Sequence, residues 1–305
     1  MSRRSECTLL FAILTALAAS TPPASAQVEI DRRRPALAKG EVWIDNDFGS
    51  VTVRGWEKNE VLVQGILAAG NEGFDFDADK EGTSISVAVP EVWFQATGED
   101  PAFRSTLTIF VPVGSSVAVS SVNASVSIEG VSGKVEIETV NGAVKVAGAA
   151  SAIEIETMTG AIEVQALAAP MDIRSISGTV AIQGATGEVR VETVSGKVTL
   201  AGSGVSSLGI QTTTGEVEFQ GSLAKQGEID IETFSSPVRL RLPPTTKAVF
   251  DLQTFGAKIQ SQFCSGTPVT RKRFEPFREL RCSTGLDEFE IRVRTHNADI
   301  IIEAK

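Results

Sequence analysis

The chain has 305 residues, with 28 basic and 38 acidic side chains and a formal net charge of −10. This acidic balance argues against nucleic acid or a bare anionic membrane surface as a partner. Apart from Cys7 near its start, the sequence has two cysteines, Cys264 and Cys282, and a single histidine, His296, too few for a structural zinc site, which needs four good ligands.

Residues 1–26 have the pattern of a secretory signal peptide. Two arginines near the start precede a short apolar core and an Ala-Ser-Ala cleavage site that ends at Ala26. The apolar core is too short for a membrane-spanning helix, and no later run approaches about 18 apolar residues. The sequence therefore predicts an exported protein, periplasmic or extracellular, with no membrane-spanning segment in the mature chain. Residues 27–39 follow as a polar leader that we expect to be flexible.

Residues 40–115 are predicted to form a β-rich N-terminal part that caps the rest of the chain. The stretch that begins at Gly40 alternates like the repeats described next, whereas residues 60–114 are rich in strand patterns but less regular. Trp43, Trp56 and Trp93 are large residues suited to covering the exposed end of a stack. Repeat proteins need such atypical end units, because an open end would present unpaired strand edges.

Residues 116–264 repeat themselves about every 18 residues. The units read KVEIETVNGAVKVAGAAS from Lys134, AIEIETMTGAIEVQALAA from Ala152 and PMDIRSISGTVAIQGATG from Pro170. Within each unit, two short runs alternate between apolar and polar residues, which indicates strands with one buried face. A residue at the turn between the runs must take the positive φ that a tight turn needs. We assign these repeat turns to Asn141, Gly142, Gly160, Gly178, Gly196, Gly215 and Gly256.

The constant period favours a right-handed parallel β-solenoid, or β-helix, over an antiparallel β-sandwich. Sandwich strands also alternate, but they are not copies of one another at a fixed spacing. A coil of about 18 residues, at roughly 3.3 Å per residue, fits two strands and two turns, and stacked coils lie about 4.8 Å apart. The fold class is therefore all-β. One interior column would contain Ile137, Ile155, Ile173, Val191, Ile210, Ile231 and Leu252.

A hydroxyl residue precedes each turn and forms a second column. Hydroxyls at a corner can bond to neighbouring backbone groups, so we interpret this column as structural rather than as catalytic serines or threonines. Its members are Ser121, Thr139, Thr157, Ser175, Thr193, Thr212, Thr233 and Thr254.

Residues 265–305 are predicted to form a loop closed by a disulfide and a C-terminal capping layer. We expect Cys264 and Cys282 to be bonded, because an exported protein enters an oxidising compartment. After the loop, the segment FEIRVRTHNADIIIEAK alternates like the repeats and is interpreted as one last layer at the end of the stack.

The repeat motif resembles a known family. The turn sequence T-[V/M/I]-[N/T/S]-G between two alternating strands, and the segment IFVPVG at 109–114, resemble the DUF4097 family of adhesin-like β-strand repeat proteins. The resemblance covers residues 40–305. It implies a right-handed β-solenoid, a bacterial envelope setting and no established enzyme activity, and it supplies no catalytic residues. The chain departs from the motif where Ser236 replaces a turn glycine and where the disulfide loop interrupts the last layers.

The outward positions of the repeats form a charged face, which is the candidate binding surface. Carboxylates stacked about 4.8 Å apart repel one another, and we expect Arg174 to relieve Glu156 and Glu192. The face could instead gather calcium, since that ion takes several carboxylate oxygens, or it could be a solvated surface that prevents aggregation. Its two columns contain Glu136, Glu154 and Asp172, and Glu138, Glu156, Arg174 and Glu192.

These features predict a non-enzymatic, exported cell-envelope protein that acts as an adhesin or as a protein-interaction scaffold, without catalytic residues, metal or cofactor. Its partner would be an envelope protein, a glycan or a second copy of the chain. Two alternatives stay open: a self-associating structural protein, and a β-helical polysaccharide lyase or hydrolase. Such enzymes carry extended loops and aromatic residues for sugar stacking, whereas the turns here are minimal and the chain has no tyrosine.

Overall fold

A computed structural model describes residues 27–79, 82–90, 103–166, 169–266, 268–270, 277–285 and 289–305. Within these residues the chain consists of β-strands and their connections, without an α-helix, which confirms the all-β fold class. The strands hydrogen-bond into one continuous sheet, and their inward side chains share one main core. The predicted signal peptide, residues 1–26, lies outside the described residues.

The central part of the chain is a stack of parallel layers, each with two arms. The first arm is a longer strand, the second arm is a shorter one, and a tight turn, here called the corner, joins them. First arms pair in parallel with a register of 18 residues, Ile137 beside Ile155 and Ile155 beside Ile173. Second arms pair in the same way. The strands β9 (Lys134–Asn141), β11 (Ala152–Thr159) and β13 (Met171–Ser177) are first arms, and β10 (Val144–Gly148) and β12 (Ile162–Ala166) are second arms. The strand β8 (Ser116–Glu129) continues through both arms of its layer. Each of β14 (Val180–Ser195), β15 (Val198–Thr214) and β16 (Val217–Thr233) runs from the second arm of one layer into the first arm of the next.

The side chains that alternation points inward fill the core between the arms. Ile137, Ile155 and Ile173 on the first arms are fully buried, as are Val144 and Ile162 on the second arms. Burying each such side chain stabilises the fold by roughly 1.5–3 kcal/mol. Because every layer covers the apolar side chains of two neighbours, the stability of one layer depends on the layers beside it.

The corner glycines stack directly on one another. Gly160, Gly178 and Gly196 have φ values of 142°, 133° and 126°, a region that residues with a Cβ avoid. A Cβ on Gly178 would also stand 1.9 Å from the carbonyl oxygen of Gly160 in the neighbouring layer. The same close approach recurs at Gly142, Gly196 and Gly215. Glycine is therefore needed at the corner for two reasons, backbone conformation and contact between layers.

The hydroxyl column turns into the corner and bonds to the backbone. Thr157 Oγ1 donates to the carbonyl of Thr159 at 3.2 Å, and Thr193 Oγ1 donates to the carbonyl of Ser195 at the same distance. Equivalent bonds are made by Thr139, Ser175 and Thr212. The carbonyls of Thr159 and Ser195 also accept the backbone N–H of Gly142 and of Gly178 in the neighbouring layer, so each hydroxyl adds a second hydrogen bond at the corner.

The N-terminal part adds a further layer and a cap. The strands β2 (Glu41–Asn46) and β3 (Phe48–Trp56) form a layer beside β8, and they are covered in turn by β6 (Gly82–Ala88) and β7 (Ser105–Pro112). The antiparallel strands β4 (Glu60–Leu67) and β5 (Gly73–Ala78) complete this end. Trp56 packs in the cap against Phe110, with ring centroids 5.3 Å apart. Trp43 instead points outward and is 42% exposed, and Trp93 lies outside the described residues.

The prediction of a flexible leader at residues 27–39 is wrong. Most of this segment forms the strand β1 (Val28–Pro35), which pairs antiparallel with β4 along its whole length and buries Ile30. The sequence did not predict this strand because its side chains are mostly polar. An edge strand is held by its backbone hydrogen bonds and exposes most of its side chains.

The C-terminal layer does not cap the stack as predicted. The strands β22 (Phe289–Thr295) and β23 (Ile300–Ala304) insert between two earlier layers. Val293 thus lies between Ile231 and Leu252, which the sequence placed side by side. The insertion is possible because Phe289, Ile291 and Val293 repeat the inward pattern of every other layer. The layers on either side contain β16 with β17 (Val238–Leu242), and β18 (Val249–Phe255) with β19 (Ile259–Ser261).

The outer end of the stack is covered by antiparallel strands and closed by a disulfide. The strand β21 (Phe277–Ser283) pairs antiparallel with β18, and the short strand β20 (Val269–Thr270) pairs with β21. The structure contains the expected bond between Cys264 and Cys282, whose Cα atoms are 5.7 Å apart. It fastens β21 to the end of the outermost layer.

Candidate functional site

A long groove follows the corner across the layers, with a volume of about 1180 Å³. We call it the corner groove. Its floor is the hydroxyl column, one wall is the outward column just before it, and the other wall is the outward column just after it. The groove extends from Ser120 in the layer of β8 to Phe255 in the outermost layer. At about 4.8 Å per layer, its nine layers give a length of roughly 38 Å between first and last.

One wall of the groove is an exposed apolar column, here called the apolar stripe. Met158, Ile176 and Val194 are 48%, 48% and 51% exposed, and Phe234 is 55% exposed. Alternation explains their direction: each follows an inward threonine or serine, so it must point outward. Thr213 and His296 occupy the same column. The apolar stripe consists of the half-buried Val122 and Val140 and the exposed Met158, Ile176, Val194, Phe234 and Phe255.

The apolar stripe was not predicted as part of a site. A signal was present, because almost every repeat has an apolar residue at the second position of the motif T-[V/M/I]-[N/T/S]-G. By alternation that position faces solvent, where a structural repeat has no need of an apolar side chain. An apolar residue repeated at an outward position was therefore the pattern to look for.

The C-terminal end of the apolar stripe is aromatic. The imidazole ring of His296 stacks between the rings of Phe234 and Phe255, with centroids 4.7 Å and 5.3 Å away and planes within 10°. Insertion of β22 between the layers of β16 and β18 creates this stack, since it brings His296 between the two phenylalanines. Phe277 on β21 lines the same end of the groove.

The opposite wall contains part of the predicted charged face. The register aligns Glu138, Glu156, Arg174 and Glu192 in one column that lines the groove. The other predicted column, with Glu136, Glu154 and Asp172, lies next to it and farther from the groove. The candidate face is therefore divided: four of its residues border the groove and three do not.

The ion pairs on this face differ from the expected ones. Arg174 pairs with Asp172 on its own strand at 2.8 Å, not with Glu156 or Glu192, and Glu192 pairs with Arg190 at 2.5 Å. Two residues apart on one strand, these side chains lie on the same face and reach each other more easily than across layers. Within the described part of the chain, no ion pair joins Glu138 or Glu156 to a cation. These two carboxylates leave the first half of the wall acidic.

Lys134 neutralises the neighbouring column. Its Nζ lies 2.7 Å from Glu154 and 2.9 Å from Glu136, and the hydrogen bonds that it donates to Glu154 and to Glu136 raise the pKa of the Lys134 amine above its ordinary value. Among the described residues, no three His, Cys, Asp or Glu side chains converge as metal ligands do.

The groove combines an apolar wall and a charged wall with a floor of hydroxyl groups. Seven of the eight hydroxyls in the column donate to backbone carbonyls, and the eighth, that of Ser121, donates to Thr139 Oγ1. An elongated partner could contact the apolar stripe with one side and the charged wall with the other. The described residues include no helix with the length and apolar character needed to span a bilayer.

Comparison with known proteins gives a family and several distant structures. A family model described as Toastrack DUF4097 matches residues 41–303. A structure described as a putative adhesin from Bacteroides fragilis is 10% identical, with a TM-score of 0.45, over 92% of this chain and 99% of that one. A putative cell adhesion protein from Clostridium sporogenes is 7% identical, with a TM-score of 0.26, over 91% and 100%. A putative lipid binding protein from Parabacteroides distasonis is 10% identical, with a TM-score of 0.28, over 90% and 96%. No curated protein matches the sequence.

Proposed function

The chain belongs to the Toastrack DUF4097 family, as its repeat motif predicted, and from this premise we propose that it is a non-catalytic, exported interaction protein of the bacterial envelope. It acts as an adhesin-like scaffold that binds an elongated segment of another envelope protein in the corner groove. The observation that carries this proposal is the exposed apolar stripe, which runs beside a charged wall through successive layers.

The apolar stripe favours a protein partner. Contiguous exposed apolar surface rimmed by polar groups marks interaction sites, whereas single exposed apolar residues are ordinary. Aliphatic side chains such as Met158, Ile176 and Val194 are poorly suited to bind a glycan. Glycan hydroxyls need hydrogen-bonding groups on the protein, and sugar rings stack on aromatic side chains. Repetition of the same contact in each layer lets weak contacts add up along one partner.

Three further parts of the proposal rest on other observations. Export rests on the signal-peptide pattern of residues 1–26. Right-handed winding with a coil of about 18 residues rests on the family and on the strong preference of parallel strand connections for that hand. The absence of catalysis is supported by the floor hydroxyls, which bond to backbone carbonyls instead of to a general base.

Photo-crosslinking in the producing bacterium tests the proposed surface. We expect benzoylphenylalanine placed at Ile176 or at Val194 to give the same discrete adduct, because both side chains would contact one elongated partner. The same probe at Glu163, an exposed residue of the second arm, is the control and should give none. Adducts from Glu163 but not from the two stripe positions, or different adducts from the latter, would contradict the proposal. Mass spectrometry of the adduct identifies the partner.

A further inference from the structure

A second, smaller cavity adjoins the N-terminal end of the corner groove, with a volume of about 220 Å³. It arises because Ala118 and Ser120, two small residues, lie between larger ones on both sides. The register places Ala118 between Trp43 and Glu136. It places Ser120 between Asp45 and Glu138. The missing side-chain volume in one layer leaves a gap two layer steps wide, roughly 9.6 Å. We call this gap, lined by Trp43, Asp45, Ala118, Ser120, Glu136 and Glu138, the Trp43 slot.

The indole that forms one side of the Trp43 slot is held in place. Trp43 is 42% exposed, unusual for a tryptophan, which normally buries most of its surface. Its ring lies over Gly82 of β6: a Cβ on Gly82 would stand 2.5 Å from Cζ3 of the indole and 2.6 Å from the carbonyl oxygen of Glu41. The absence of a side chain at residue 82 thus lets the ring lie against the cap strand while it lines the slot.

Two of the three carboxylates of the Trp43 slot, those of Asp45 and Glu138, have no cationic partner among the described residues. The third, that of Glu136, pairs with Lys134. Partial burial of the Asp45 carboxyl raises its pKa above the ordinary value. A cation brought into the slot would compensate the charge of these carboxylates and would at the same time face the indole.

We infer that the Trp43 slot binds an arginine side chain of the protein segment that occupies the corner groove. The inference rests on the proposed function and names the chemistry of the partner: an amphipathic basic segment. Its guanidinium would stack on the Trp43 indole and donate to Asp45 and Glu138. A planar guanidinium suits this geometry better than an ammonium, because it stacks on aromatic rings and offers a fork of donors to carboxylates.

Continuity and charge support this occupant. Ser120 and Glu138 line both the Trp43 slot and the corner groove, so one segment can reach both. Glu138 and Glu156 make the adjoining part of the groove wall acidic, and the whole chain carries a net charge of −10. A basic partner would be drawn to this end by long-range attraction and would then align its apolar side with the apolar stripe.

The test uses a fluorescein-labelled amphipathic peptide of leucine and arginine, and a matched peptide in which citrulline replaces every arginine. Citrulline keeps the shape of arginine but has no charge. By fluorescence anisotropy we expect the arginine peptide to bind the wild-type protein roughly tenfold more tightly than the citrulline peptide. In the double variant Asp45→Asn/Glu138→Gln, and in Trp43→Leu, this preference should fall to about twofold or less.

The control for general electrostatics is Glu163→Gln/Glu188→Gln, which removes two exposed carboxylates away from the slot. It should keep the full preference. Three results would overturn the inference. The control could lose as much of the preference for the arginine peptide as the slot variants do, the slot variants could keep that preference unchanged, or neither peptide could bind. Failure of the proposed function would give a different result. The double variant Ile176→Thr/Val194→Thr, which removes two apolar side chains of the stripe, would then leave the affinity of both peptides unchanged. Thr213 occupies the same column naturally, so threonine is compatible with the corner.

Discussion

Replacing Gly178 by valine is expected to lower the free energy of unfolding by about 3–6 kcal/mol. Gly178 has a φ of 133°, which costs a residue with a Cβ about 1–3 kcal/mol in strain. The new Cβ would also stand 1.9 Å from the carbonyl oxygen of Gly160, so two layers would have to separate locally. The measurement is urea unfolding followed by circular dichroism.

The matched control is Gly209→Ala. Gly209 lies on a first arm and points outward, and a Cβ there would meet nothing within 4 Å. Its replacement should change stability by less than about 0.5 kcal/mol, or increase it slightly by restricting the unfolded chain. If Gly178→Val proved as mild as Gly209→Ala, the corner glycines would not be in contact between layers.

The second large effect is expected for Val293→Asp, with a loss of about 4 kcal/mol or more. Val293 is fully buried, and because β22 is inserted, its side chain contacts a layer on each side, through Ile231 and Leu252. An aspartate would bring an unpaired charge into this interior column. Thermal unfolding by calorimetry gives the change, together with binding of a hydrophobic dye if the end layers loosen.

The control on the same strand is Arg294→Gln, one residue away on the opposite face. Arg294 pairs with Glu232 at 2.5 Å but its side chain is 42% exposed, so its loss should cost at most about 1 kcal/mol. A loss below about 1 kcal/mol for Val293→Asp would mean that the C-terminal layer lies at an exposed end, as the sequence suggested.

The central layers were predictable because two signals agree there. Alternation assigns Ile137 and Ile155 to the interior, and the constant period sets them side by side, so few other registers bury every apolar residue. The turn glycines carried a third signal. The sequence predicts only one of the two reasons for these glycines. A turn motif indicates a positive φ, but it does not indicate the contact between Gly178 and Gly160.

The order of the last layers was not predictable from the sequence. The inward pattern of Phe289, Ile291 and Val293 is the same as in every other layer, so it specifies membership of the stack but not position in it. Only the path of the chain through the disulfide-closed segment determines that position. The leader was missed for a related reason, since β1 is held by backbone pairing with β4 and its side chains are mostly polar.

The candidate site was predicted in part. Charged residues at outward positions, such as Glu138 and Arg174, were assigned to a face by alternation, and the register aligns them as expected. Their pairing was not predictable, because neighbours two residues apart on one strand compete with neighbours across layers. The apolar stripe was not predicted because Met158 and Ile176 lie in a turn motif that the turn glycine already explains, without assigning a role to the apolar residue before it.

Shortening the corner groove tests most directly whether binding is spread along its layers. Deleting residues 152–187 removes two whole layers, with Met158 and Ile176 of the apolar stripe, while the remaining layers keep the same register. If binding is spread along the groove, the adduct from benzoylphenylalanine at Val194 should fall about tenfold or more in a shortened protein that still melts cooperatively. The same adduct at the same yield would contradict binding along the groove, because it would place the contact in one discrete pocket and not along the repeated layers.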